Sequence, residues 1–225
     1  MNLHLFSTPG RDDIRYILDA SRPYLEGKDE PVIAYLPAAS LGDTYQESTE
    51  KAFRGLARLE TINTELMTLP EMEAILRNAA LVYIPGGNTF LLNHRLHISN
   101  IIEYLRKKVT AGLPLIAFSA GTVLCGSNIL TSNNINMVET PYFRGLNLTP
   151  FNFNSHYPDD EIGRLIRDDW LSEYHVFHDN PVIMLSDGAY IQVEGKKTRL
   201  VQGDAWILRK GQEKQKLELR TQIEV

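Results

Sequence analysis

Short apolar runs alternate along this chain with stretches whose apolar residues recur at helical spacing. That alternation predicts an α/β protein, because two parallel strands need a crossover between them and a helix is the usual crossover. The runs LHLF near the amino terminus, VIAYLP at 32–37, Leu81–Ile84 and Leu115–Phe118 read as strands. Asp12–Leu25 places Ile14, Ile17, Leu18 and Leu25 on one helical face, and a second helix is expected over Thr44–Leu59. A strand near Thr61–Met67 and a short helix over Pro70–Asn78 follow. Asn100 with Glu103 marks the start of a further helix, which Gly112 and Pro114 stop.

Beyond Asn128 the pattern changes. The stretch from Asn128 to Asn154 is rich in Asn, Ser and Thr and predicts irregular structure. Residues 159–175 read as a helix, PVIML and YIQVEG as strands, and TRLVQGDAWILRKG as a closing hairpin. No linker separates halves, so the 225 residues predict one domain over 1–225.

The formal net charge is −5 and the basic residues are scattered, so a phosphate backbone would find no electrostatic footprint and nucleic acid is not an expected partner. No basic segment followed by an apolar one opens the chain, and no run of about eighteen apolar residues occurs, so neither a leader nor a membrane span is expected. The lone Cys125 cannot form an internal disulfide, which agrees with a cytoplasmic location. Whether the chain is a monomer or a homodimer stays open.

Ser119 falls directly after the Leu115–Phe118 run and before Ala120, Gly121 and Thr122. Small neighbours on a strand-to-helix turn suit a nucleophile, since they let the backbone bend sharply and leave the next N–H facing a developing oxyanion. Ser119 suits equally the plainer role of a helix N-cap. A second glycine-bearing turn, PGGNTF at 85–90, also follows a strand, and Gly87 could oppose Ala120 as the second oxyanion donor. Both loops would then share the carboxyl edge of a parallel sheet, where open α/β folds bind ligands.

The segments YIPGGNTFLL, IAFSAGTVL and PFNFNSHY, in this order and spacing, resemble the peptidase E family of aspartyl dipeptidases, which are related to cyanophycinases. The resemblance runs from VIAYLP to the final hairpin. It implies a class I glutamine-amidotransferase-like (flavodoxin-like) fold: a single α/β domain, with a mostly parallel central sheet and helices on both faces. It implies hydrolysis of short peptides with an amino-terminal aspartate by a serine mechanism, with no metal and no cofactor.

A serine hydroxyl needs an imidazole base and a third group to orient it. Of the six histidines, His4, His94, His97, His175 and His178 read as surface or packing residues. His156 falls where the family motif carries its catalytic histidine. The resemblance puts the third group in the loop after the next strand, here Asp187 of LSDG in place of a glutamate. The resemblance also offers an alternative third position fifteen residues after the serine, where an aspartate is expected and this sequence has Asn134. By the same resemblance Arg167 binds the substrate carboxylate, Arg164 is the fallback one turn earlier, and Trp170 replaces a second basic residue. Cys125 lies too far past the serine to be a nucleophile and reads as a small buried residue. Two rivals remain: hydrolysis of another acidic amide, isoaspartyl or cyanophycin-like, and a noncatalytic relative that binds acidic ligands. A glutamine amidotransferase ranks last, because it would need cysteine at the elbow.

Overall fold

The computed structural model describes residues 1–8, 15–42 and 45–225. In chain order its strands are β1 (Asn2–Phe6), β2 (Val32–Tyr35), β3 (Arg58–Thr61), β4 (Leu81–Ile84), β5 (Leu115–Phe118), β6 (Asn152–Ser155), β7 (Val182–Leu185), β8 (Tyr190–Glu194), β9 (Lys197–Gln202), β10 (Ala205–Leu208) and β11 (Gln215–Lys216). The helices are α1 (Arg15–Leu25), α2 (Gln46–Phe53), α3 (Leu69–Asn78), α4 (Thr89–Ile98), α5 (Ile102–Thr110), α6 (Ala120–Leu124) and α7 (Glu161–Phe177).

Seven strands form the main sheet in the order β3-β2-β4-β5-β1-β8-β9. Pairing is parallel from β3 through β1 and antiparallel through β8 and β9. Alternate side chains sort to opposite faces. Leu3, Leu5, Val82, Ile84, Leu115 and Ala117 join α3, α4, α5 and α6 in one core. Phe6, Ile33, Tyr35, Tyr83 and Ile116 meet Ile17 and Leu25 of α1 and Phe53 of α2 in another. Each fully buried aliphatic side chain contributes roughly 1.5–3 kcal/mol.

A second, four-stranded sheet in the order β11-β10-β7-β6 was not expected from the sequence. Its inner side chains, Phe153, Ile183, Leu185 and Ile207, enter the first core. Its outer ones, Val182, Met184, Trp206 and Leu208, pack with Leu171 and Tyr174 of α7. Both faces of β7 and β10 are therefore buried, which explains their unbroken apolar runs.

Several expected boundaries move. The helix expected over Thr44–Leu59 is α2, ending at Phe53, with the chain turning at Gly55 (φ 80°) and Leu59 already inside β3. The strand expected near Thr61–Met67 ends at Thr61, because the Asn63 side chain accepts hydrogen bonds from the N–H groups of Glu65 and Leu66 and closes a turn there. Asn100 is not the cap of α5: it takes φ 60°, the left-handed conformation that asparagine tolerates, in the short link after α4. The closing hairpin is also corrected, since β9 pairs with β8 and β10 crosses to β7 in the other sheet. The expected start of the first helix, Asp12 to Ile14, and Thr44 lie outside the described residues. Among the described residues no helix is long and apolar enough to cross a membrane.

Candidate active site

Ser119 directly follows β5 with φ 49° and ψ −104°, a conformation that non-glycine residues adopt only where their surroundings enforce it. The enforcement is visible: its N–H donates to the carbonyl of Phe6 (2.9 Å), and Thr122 Oγ1 donates to the same carbonyl (2.8 Å) and to that of Ala117 (3.1 Å). Although Ser119 stands in the N-cap position of α6, its side chain makes no cap hydrogen bond. Its Oγ instead lies 2.7 Å from Nε2 of His156.

His156 leaves β6 with φ 57°, and its N–H donates to Oγ of the buried Ser7 (2.9 Å), whose hydroxyl donates in turn to the carbonyl of Leu185 (3.2 Å). The other ring nitrogen, Nδ1, is 2.6 Å from Oδ1 of Asp187, two residues beyond β7. A backbone bond from Gly188 N–H to the Thr8 carbonyl (2.9 Å) ties the Asp187 turn back to the end of β1. The side chains of His156 and Asp187 are 44% and 60% exposed, so a substrate reaches them from solvent. The structure thus brings Ser119, His156 and Asp187 into one hydrogen-bonded row. Asn134 is elsewhere: its Oδ1 accepts from the N–H (2.9 Å) and the hydroxyl (3.0 Å) of Thr89, at the start of α4.

Gly86 and Gly87 stand beside the serine turn. A Cβ on Gly86 would lie 3.2 Å from Cβ of Ser119, so glycine here lets this loop approach the elbow closely without crowding it. Gly87 has φ 143°, and a Cβ there would come 2.4 Å from the Ala39 carbonyl oxygen. No other described residue accepts from the N–H of Gly87 or of Ala120. Both N–H groups are thus unpaired among the described residues.

Arg167 and Arg164 part company. Arg164 Nε donates to the Pro158 carbonyl (2.8 Å) and its guanidinium lies 4.7 Å from the Trp206 ring, over the small sheet. Arg167 turns toward the end of β6, where Nη1 donates to Oδ1 of Asn133 and to Oδ1 of Asn154 (2.9 Å). Asn133 in turn donates to the Ser155 carbonyl (2.5 Å), one residue from His156. Trp170 lies 5.4 Å from this guanidinium, and Nε is buried without a protein partner. Burial pulls the Arg167 pKa below the usual guanidinium value. Arg167 is therefore an oriented cation, held by asparagines of β6 and of the segment before it, with one N–H that has no protein partner. Sequence reasoning missed Ser7, Asn133 and Asn154, and only the asparagine-rich character of 128–154 hinted at the last two.

Cys125 is buried, donates to the Gly121 carbonyl (3.3 Å), and burial pushes its thiol pKa up. It is no nucleophile. Among the described residues, no three His, Cys, Asp or Glu side chains are grouped as a metal site would require.

The model of peptidase family S51 matches residues 6–201. Over 194 residues the chain is 31% identical to peptidase E of Nostoc sp., covering 84% of this chain and 80% of that one. Over 141 residues it is 37% identical to a Drosophila melanogaster protein named "Probable alpha-aspartyl dipeptidase", covering 60% and 59% of the two chains. The crystal structure of a peptidase from an acI-B1 actinobacterium superposes with a TM-score of 0.74 at 17% identity, covering 100% of this chain and 96% of that one. That last likeness is one of fold.

Proposed function

Because the chain belongs to peptidase family S51 and is thereby a peptidase, we propose that it is a serine dipeptidase acting on short peptides with an amino-terminal aspartate. The observation that carries this reading is the row Ser119 Oγ, His156, Asp187, with spacings of 2.7 and 2.6 Å, on a strained strand-to-helix turn. Asp187 accepts the Nδ1–H of His156 and so fixes the tautomer whose Nε2 is a base. His156 takes the Ser119 proton as Oγ attacks the scissile carbonyl. The N–H groups of Gly87 and Ala120 receive the oxyanion, and the imidazolium, held by the Asp187 carboxylate, protonates the leaving amine. Water activated by His156 then hydrolyses the acyl-enzyme.

Arg167 supplies the specificity. A substrate carboxylate placed in a half-buried pocket needs a partner of opposite charge, and a planar guanidinium held by Asn133 and Asn154 provides one already oriented. The test is hydrolysis of aspartyl p-nitroanilide, with leucyl p-nitroanilide as control. Wild type is expected to cleave only the aspartyl compound, and Ser119→Ala to abolish that cleavage. Arg167→Met is expected to raise KM for the aspartyl substrate by on the order of 100-fold, the scale of a lost charge-assisted pair. No cleavage of the aspartyl compound by folded wild type, or equal cleavage of both, overturns the assignment.

A further inference from the structure

Beside the proposed catalytic row lies a polar junction that the reaction scheme does not use. Tyr157 directly follows His156, and Asp168 directly follows Arg167. The Tyr157 hydroxyl donates to Asp168 Oδ1 (2.6 Å), and Lys214 Nζ donates both to that hydroxyl (2.7 Å) and to Asp168 Oδ2. Tyr157 is only 2% exposed, its ring 5.1 Å from that of Trp206, with the Lys214 ammonium 5.4 Å from its centroid. Lys214 arrives from the segment between β10 and β11, beyond residue 201 where the match to the family model ends.

The placement matters because the backbone at His156 is left-handed and must be held from outside. Tyr157 is fixed at both ends: its N–H donates to the Leu185 carbonyl (2.8 Å), and its hydroxyl is tied to α7. One residue before it stands the imidazole, and one residue before its partner stands the guanidinium. We propose that Tyr157, clamped by Asp168 and Lys214, is a positioning residue that fixes the separation of His156 from Arg167, so that a substrate gripped by its carboxylate presents its carbonyl to Ser119. This rests on the function proposed above. Misplacement by about 1 Å can cost on the order of 100-fold in rate, so loosening the clamp damages turnover of carboxylate-bearing substrates most. Chemistry that involves only Ser119 and His156 is spared.

Tyr157→Phe removes the hydroxyl and keeps the packed ring. Its expected signature is a fall of about 10-fold or more in kcat/KM for aspartyl p-nitroanilide, shared between KM and kcat, while labelling of Ser119 by a small alkyl fluorophosphonate stays within about twofold of wild type. Lys214→Met should shift the same way and Lys214→Arg should restore the wild-type values. An unchanged kcat/KM in Tyr157→Phe overturns the proposal. So do equal losses in cleavage and labelling, which would give the hydroxyl a role in His156 or the fold alone. Failure of wild type to cleave the aspartyl compound would sink the proposed substrate and leave the junction to a substrate-free readout, the crystal structure of Tyr157→Phe. Displacement of α7 relative to β6 there supports the clamp, and an unmoved α7 overturns it.

Discussion

At the scale of single residues, His4 shows how burial sets a titration. Its ring nitrogens lie 2.5 Å from the Tyr190 hydroxyl and 2.8 Å from that of Tyr24, and the residue is 4% exposed. Desolvation lowers its pKa to about 4 from an ordinary 6.5. An unfolded chain would take up a proton as the pH falls below 6.5, whereas the folded chain resists until about 4, so the unfolded state binds more protons across that window. Stability is therefore expected to rise with pH from about 4 to 6.5, by an order of 3 kcal/mol in full. Urea melts of wild type and His4→Phe across this range should diverge in slope, and parallel curves would remove His4 as the cause. Gly87 offers a sharper test. Alanine there meets both an unfavourable φ and the Ala39 carbonyl, so Gly87→Ala should cut turnover by roughly 10²–10³-fold through the displaced N–H, read as kcat on the aspartyl substrate. Ser119 and His156 were legible because each sits in a compact local motif. Ser7 was not, since nothing in FSTP distinguishes a serine that bridges to the His156 N–H from one that ends a strand.

Among the elements, strands with unbroken apolar runs were the readable part, and β4 and β5 have the bounds their sequences suggest. What sequence could not reveal is which sheet a strand joins. VIML of β7 and YIQVE of β8 both read as strands on paper, yet one enters the small sheet and the other borders β1, a choice made by long-range pairing. Turn chemistry accounts for most misplaced ends, as the Asn63 turn after β3 shows. Asn134 is instructive in the same way: the family resemblance suggests a triad position, but its contacts make it a brace between the 128–154 segment and the start of α4, next to the Gly86-Gly87 turn. A carboxylate would accept the same two hydrogen bonds and would favour a helix N-terminus. Asn134→Asp is accordingly expected to leave kcat within about twofold and to hold or raise the melting temperature. Asn134→Ala should cost about 1 kcal/mol, measured by denaturant titration. A large gain in kcat with aspartate would return position 134 to the catalytic row.

Over the whole molecule, the architecture divides the proposed machinery between two sheets. Ser119 stands at the end of β5 in the main sheet, while His156 and Asp187 follow β6 and β7, parallel neighbours in the small one. The two sheets are joined at this edge by Ser7, whose Oγ accepts from the His156 N–H and donates to the Leu185 carbonyl, and by Ser155 Oγ on the Ser119 carbonyl (3.4 Å). Ser7→Ala should thus lower kcat by about tenfold, the scale of one lost orienting hydrogen bond, with far-ultraviolet circular dichroism unchanged. Base and orienting carboxylate follow neighbouring strands of one sheet and the nucleophile follows a strand of the other, yet both sheets feed a single core. The spacing of the three groups is therefore expected to last as long as that core does, so that on heating or in urea activity and ellipticity fall together in one cooperative step.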